Sequence, residues 1–176
     1  MSRRHVVIGL LIVCGVAAGC VGDTGADRYD ATVVSVTDGD TVDVRMADGS
    51  TDTVRLLGVD TPEVHGPTDP TEFEGVPNTT AARACLRAVG ENATEFTAGI
   101  VADRAVTLEL DSVADRRGGY DRLLAYVYQG ETHLNERLLE EGYARVYVTE
   151  FTQLERFRDA ASTARAADRG VWRCAT

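Results

Sequence analysis

Residues 31–60 contain three short segments rich in valine and threonine, and Asp-Gly dipeptides separate them. Valine and threonine favour extended backbone, whereas Asp-Gly is a strong signal for the tight turn of a β-hairpin. The pattern therefore predicts antiparallel strands at 31–36, 41–46 and 51–57.

Two later segments, 105–110 and 122–128, have the same strand-like composition. Five short strands in a chain of 176 residues predict a single domain built on a small closed β-barrel. The stretch 64–77 is polar, contains three prolines and is predicted as a loop. Helices are expected as a pair at 79–89 and 92–101, broken near Gly90, and at 135–141 and 152–168.

The N-terminus has the features of an export signal. Arg3 and Arg4 precede an apolar run that is shorter than the ~20 residues needed to span a bilayer. The run ends in Ala-Ala-Gly-Cys20, which resembles a lipobox whose cysteine receives lipid. We predict a twin-arginine-type signal over 1–19, lipidation of Cys20, a tether over 20–30 and a folded domain over 31–176. The alternatives are a plain signal peptide or a membrane-anchor segment.

The predicted export signal determines which cysteines remain available for a disulfide. Cys14 would leave with the signal and Cys20 would carry lipid, so that Cys85 and Cys174 remain in an oxidising compartment. We predict that Cys85 and Cys174 form a disulfide that staples the segment around Cys85 to the C-terminus. Two free buried thiols are the alternative.

The chain is acidic, with 28 acidic residues against 18 basic ones and a formal charge of −10. All the basic residues are arginines. A surface of this charge repels a polyanion at low ionic strength, but at about 1 M salt the Debye length falls to ~3 Å and the repulsion is screened. The composition fits a halophilic source.

Asp40 directly precedes the second predicted strand. The two-residue period of a strand places it on the same side as Val42, Val44 and Met46, which predicts that the carboxylate points into the mouth of the barrel. An inward carboxylate must be paired or must hold a cation. The alternative is that Asp40 only caps the preceding turn.

A second pair of carboxylates, Asp60 and Glu63, follows the third predicted strand. A bulge at Gly58 would bring Asp60 to the same face as Arg55 and close to Asp40. Because these candidate ligands are all oxygens, the matching ion is Ca²⁺ first, then Mg²⁺ or Mn²⁺. His65 lies alone in the following loop and is expected to be solvated.

Four motifs together resemble the staphylococcal nuclease (thermonuclease) family, in the family's order. They are DGDTV, RLLGVDTPE, YDRLLAYVY and LNERLLEEGYARV. The resemblance implies a five-stranded OB-fold β-barrel with about three main helices. It also implies a Ca²⁺-dependent endonuclease that acts on DNA and RNA and leaves 3′-phosphate ends. We expect the protein to be a monomer.

The resemblance also implies roles for individual residues. Asp40, Asp60 and the carbonyl of Thr61 match the family's calcium ligands. Arg55 and Arg122 match its phosphate-binding arginines, and Glu63 its proposed general base. Tyr120 and Tyr147 match nucleotide-contacting tyrosines.

Other interpretations stay open from the sequence. Arg55 could simply pair with Asp60 or Glu63, and the barrel could be a non-catalytic surface module that binds nucleic acid, calcium or a protein. The chain departs from the family in the length of the loop after Glu63, in its lack of lysine, and in Asp121, where a glycine is common.

Overall fold

The computed structural model of the protein describes residues 27–175. The barrel strands are β1 (Arg28–Asp38), β2 (Thr41–Met46), β3 (Thr51–Leu56), β5 (Ala105–Glu109) and β6 (Leu123–Gln129). They run in the order β3-β2-β1-β5-β6, with antiparallel neighbours, and a parallel pairing of β3 with β6 closes the barrel. The predicted five-stranded OB-fold barrel is confirmed.

Three helices and three two-residue strands complete the fold of residues 27–175. They are β4 (Val59–Asp60), α1 (Thr80–Val101), β7 (Thr132–His133), α2 (Leu134–Glu140), β8 (Arg145–Val146) and α3 (Leu154–Ala166). Short 3-10 turns lie at Pro70–Glu72, Gly119–Asp121 and Gly170–Ala175. Within residues 27–175, no helix combines the length and apolar character needed to cross a membrane.

The barrel interior is filled by the alternating β-branched residues that the sequence predicts. Val42 and Val44 on β2 and Val54 on β3 are fully buried, whereas Arg45 on β2 faces solvent. The turn between β2 and β3 closes on Asp48 and Gly49 as expected for a hairpin.

The predicted break near Gly90 is wrong, because α1 is one continuous helix. Gly90 is buried, and a Cβ atom there would collide with the carbonyl oxygen of Pro62. The glycine is therefore needed for close packing of the helix against the chain before Glu63. It does not end the helix.

The last residues of the predicted tether, 28–30, belong to the first strand. β1 begins at Arg28, because residues 28–30 pair with β5 and Arg28 forms an ion pair with Glu109. The predicted export signal over 1–19, the lipidation site Cys20 and the tether up to residue 26 lie outside the described residues.

A second, smaller core lies beside the barrel, between the start of α1 and the C-terminus. Cys85 of α1 and Cys174 form a disulfide with a Cα–Cα distance of 5.7 Å. Around it pack the buried residues Phe73, Val76, Ala82, Leu86, Val89, Ala164, Val171 and Trp172. The long segment 61–79, which joins β4 to α1, is thus anchored to the C-terminal turn, as the sequence predicts for the region around Cys85.

Candidate active site

Asp40 lies in the turn between β1 and β2 and is only 4% exposed. Its Oδ2 accepts a hydrogen bond from the backbone N–H of Thr61 at 2.8 Å, and its Oδ1 accepts one from Oγ1 of Thr41 at 3.1 Å. The turn itself is capped by Asp38, whose Oδ1 accepts from the N–H of Asp40 at 3.2 Å. Asp40 is therefore turned toward the mouth of the barrel, and Asp38 has the capping role.

Arg55 of β3 joins the two candidate metal ligands. Its Nη2 donates to Oδ1 of Asp60 at 2.6 Å, and its Nη1 forms an ion pair with Oδ2 of Asp40. Burial lowers the pKa of Arg55 from its ordinary value, while the charge of Asp60 opposes this effect. Because one guanidinium reaches both carboxylates, Asp40 and Asp60 lie around a single positive group.

The chain reverses sharply before Asp60. Gly58 has φ of 76°, a left-handed conformation that glycine adopts most easily, and a Cβ atom there would lie 2.7 Å from the ring of Phe151. The predicted bulge is in fact a turn that separates β3 from β4. This turn brings the carboxylate of Asp60 back to Arg55.

Glu63 has an exposed side chain on a restrained backbone. Its carbonyl accepts a hydrogen bond from Oγ1 of Thr68 at 2.9 Å, and the preceding Pro62 is buried against Gly90 of α1. The residue lines the same cavity as Asp40 and Asp60. A carboxylate in this position is accessible to water and substrate.

Arg122 directly precedes β6 and lines the cavity. Its Nε donates to the carbonyl of Gly119 at 3.1 Å, and its Nη1 lies 3.4 Å from Oγ1 of Thr41. The guanidinium also lies over the ring of Tyr120, 5.6 Å from its centroid. The structure thus brings Arg122 to the rim that carries Asp40 and Arg55.

The two candidate tyrosines lie in different places. Tyr147 lines the main cavity and is about half exposed, whereas Tyr120 is 97% exposed and lines a neighbouring groove beside Asp43 and Asp52. Of the pair, Tyr147 is therefore the one that can contact a ligand inside the cavity. His65, predicted to be solvated, is exposed, and its ring contacts the carbonyl of Thr37.

The cavity has a volume of about 520 Å³ and carries both signs of charge. Its charged lining consists of Asp38, Asp40, Asp60, Glu63, Asp115, Glu150, Arg55, Arg117 and Arg122. Six carboxylates against three guanidinium groups leave a formal excess of three negative charges.

Asp40 and Asp60 supply two carboxylates of the kind that a hard divalent cation prefers, at the edge of the cavity. Arg55 contacts both of them. Among residues 27–175, no group of three or more His, Cys, Asp or Glu side chains could hold a metal ion. A cation held here would need oxygen ligands in addition to these two carboxylates. The role predicted for the Thr61 carbonyl stays a prediction.

Three residues that contribute to this site are not among those predicted from the sequence. Asp38 caps the turn that presents Asp40, and Arg145 of β8 contacts Oδ2 of Asp60 at 2.7 Å. Asp111 ties together two segments that line the cavity. Asp38 could have been found from the Asp-Gly turn chemistry, whereas Arg145 and Asp111 depend on contacts between distant parts of the chain.

The barrel and its charged cavity define an OB-fold protein that brings arginines and carboxylates together at one rim. Residues 53–174 match the sequence profile of the family described as Staphylococcal nuclease homologue. The chain belongs to this family.

Individual relatives cover most of the chain. An uncharacterized protein of Methanocaldococcus jannaschii is 35% identical over 153 residues, which are 83% of this chain and 72% of the relative. The thermonuclease of Staphylococcus hyicus is 32% identical, with coverage of 86% of this chain and 80% of the relative. The SPbeta prophage-derived endonuclease YokF of Bacillus subtilis is 34% identical over 83% of this chain, which spans 45% of that relative's length.

Proposed function

We propose that this protein is an exported, Ca²⁺-dependent endonuclease that hydrolyses phosphodiester bonds in DNA and RNA and leaves 3′-phosphate ends. Its class, a hydrolytic nuclease, follows from membership of the family and from relatives named thermonuclease and endonuclease. The metal, the products and the location are the proposed part.

One observation supports the proposal most strongly. Arg55 contacts both Asp40 and Asp60 at the edge of a cavity that is also lined by Glu63 and Arg122. These five residues come from three parts of the chain, position 40, positions 55–63 and position 122, and each has a use in phosphodiester hydrolysis. A surface module that only binds strands has no need of the exposed Glu63 carboxylate.

The arginines stabilise the charge that grows during the reaction. Attack of water on a phosphodiester places negative charge on the equatorial oxygens, and donors fixed in advance stabilise that charge best. Arg55 and Arg122 each offer a planar fork that matches phosphate oxygens. Arg55 is held at the rim of the cavity by its two aspartates, and a phosphate that takes its fork competes with Asp40 and Asp60 for the two Nη atoms.

Glu63 has the geometry of a general base. Its carboxylate is exposed in the cavity while its backbone is held by Thr68 and α1. It would take the proton from the attacking water as the new P–O bond forms, a contribution typically worth ~10²- to 10⁴-fold in rate. The bond from phosphorus to the 5′ oxygen breaks, so that the phosphate stays on the 3′ end and the 5′ oxygen leaves as a hydroxyl group with a proton from solvent. Asp40, Asp60 and the Thr61 carbonyl would hold the calcium ion, which supplies Lewis-acid polarisation of a phosphoryl oxygen.

The proposal is tested by digestion of plasmid DNA, single-stranded DNA and RNA with Ca²⁺ or with a chelator, across a series of salt concentrations. We expect cleavage that requires Ca²⁺ and that falls by at least about 100-fold in Glu63→Gln. Glu131→Gln, in the exposed turn between β6 and β7, is the matched control and should cleave at the wild-type rate. Products should become substrates for 3′ extension only after phosphatase treatment.

Three results would contradict the proposal. Cleavage that persists in chelator would exclude the calcium requirement, and products extended without phosphatase would exclude 3′-phosphate ends. Absence of cleavage at every salt concentration would favour a non-catalytic binding module.

The proposed location rests on the N-terminal sequence. A twin arginine, a short apolar run and a lipobox-like Ala-Ala-Gly-Cys20 support export followed by lipid attachment, with the membrane contacted only through that lipid. Mass spectrometry of the mature N-terminus tests this directly. A protein that begins at a lipid-modified Cys20 is expected, and a mature chain that retains residues 1–19 would exclude it.

A further inference from the structure

Asp60 is held by two arginines, one on each carboxylate oxygen. Oδ1 accepts from Nη2 of Arg55 at 2.6 Å, and Oδ2 lies 2.7 Å from Nη2 of Arg145. Only 19% of the Asp60 side chain is exposed. The carboxylate therefore has one well-defined orientation toward the cavity.

Arg145 is itself restrained from several sides. It lies opposite Asp60 in the pairing of β4 with β8, and its guanidinium is 5.6 Å from the ring centroid of Phe73 and 5.7 Å from that of Tyr147. Glu72 lies 3.8 Å from its Nη2. A guanidinium in this position has little freedom to move away from Asp60.

Arg145 is connected to the second core through its contact with Phe73. Phe73 is 2% exposed and packs in the cluster that contains Trp172 and the disulfide of Cys174. The long 61–79 segment thus supplies both the ring under Arg145 and the carboxylate of Glu72 beside it. This segment connects the disulfide-anchored C-terminus with a candidate metal ligand.

We propose that Arg145 is a positioning residue for the cation site: it fixes the orientation of the Asp60 carboxylate and thereby sets the affinity for the divalent ion. The inference rests on the proposed calcium site. Groups that hydrogen-bond a metal-ligating carboxylate orient it, and their loss typically weakens metal binding by ~10- to 100-fold. Removal of the positive charge would act in the opposite direction by strengthening the attraction for a cation.

A charge-conserving substitution separates the two effects. Arg145→Lys keeps the charge but loses the planar group that lies over Phe73 and Tyr147. Arg137→Lys is the matched control, because Arg137 pairs with Glu140 and Glu141 on α2, outside the cavity lining. We measure the Kd for CaCl₂ by isothermal titration calorimetry and by the shift of the melting temperature with calcium concentration.

We expect Arg145→Lys to raise the calcium Kd about tenfold and Arg137→Lys to leave it unchanged. Phe73→Leu, which retains Arg145 but removes its aromatic support, should raise the Kd in the same direction by a smaller factor. A Kd for Arg145→Lys within twofold of wild type, or a tighter one, would overturn the inference even if the melting temperature fell. If the wild-type protein itself showed no saturable calcium binding, the calcium assignment in the proposed function would fail together with it.

Discussion

Tyr126 of β6 donates a hydrogen bond from its hydroxyl group to Oδ2 of Asp111 at 2.7 Å. The same oxygen accepts from the backbone N–H of Thr152 at 2.8 Å, and Oδ1 accepts from the N–H groups of Val113 and Ala114. One carboxylate therefore fastens two cavity-lining segments to the barrel.

Asp111→Asn should destabilise the protein at neutral pH. Burial alone would raise the pKa of Asp111, but the hydrogen bonds from Thr152 and Tyr126 lower it to about 2. Because the pKa in the folded state lies below the ordinary value of 3.8, this stabilisation is present above about pH 4 and is lost as the pH falls toward 2. We expect the substitution to lower the free energy of unfolding, measured by urea denaturation, by about 2 kcal/mol at pH 7. The difference from wild type should shrink as the pH is lowered below 4. Asp159→Asn, on the exposed face of α3, should have no comparable effect.

Gly90→Ala should impair both stability and cleavage. The new Cβ atom would collide with the carbonyl of Pro62 and push α1 away from the backbone before Glu63. We expect a cost of about 1–3 kcal/mol, measured by denaturant unfolding, and a reduced rate of DNA digestion. Gly99→Ala in the same helix is the control, because its Cβ would enter open space and should stabilise the protein by roughly 0.5–1 kcal/mol. Equal effects of the two substitutions would contradict this packing role for Gly90.

His133 should make the protein less stable in mild acid. It is 6% exposed, stacks on Tyr128 and packs against Phe157, and burial lowers its pKa to about 4, an effect that Glu136 opposes and Arg156 reinforces. Its pKa in the folded state lies below the ordinary 6.5, so stability is full above pH 6.5 and is lost as the pH falls toward 4.

Between pH 6.5 and pH 4, we expect His133 to lower the free energy of unfolding by on the order of 3 kcal/mol. His133→Phe, which keeps an aromatic ring and removes the titration, should flatten the stability profile between these pH values. His65→Gln, at an exposed histidine, should leave the wild-type profile unchanged. A His133→Phe profile parallel to that of wild type would refute the assignment.

Loss of the disulfide should loosen the second core. In the loop-entropy description, the link between Cys85 and Cys174, 89 residues apart, contributes about 4 kcal/mol. Cys85→Ala/Cys174→Ala should lose about this amount, and reductant should affect the wild type but not the double variant. Trp172 is the chain's one tryptophan and lies in this core, so its fluorescence reports the unfolding there.

The barrel and much of the cavity rim follow from local patterns in the sequence. The two-residue period places Val42, Val44 and Asp40 on the inner side, and the Asp-Gly turn after β2 forms as predicted, because both depend on sterics within a few residues. The family motifs also identify Arg55 and Glu63, which the structure places in one cavity.

Only the tertiary structure decides what depends on contacts between distant segments. The pattern around Gly90 looks the same for a helix break as for a glycine packed against Pro62, and only the neighbouring chain distinguishes the two. No local signal pairs Arg145 with Asp60, because the two residues meet through a strand pairing between positions 85 residues apart. The sequence by itself therefore determines the barrel and the kind of chemistry, and the packing of the 61–79 segment, α1 and the C-terminus determines how the site is held.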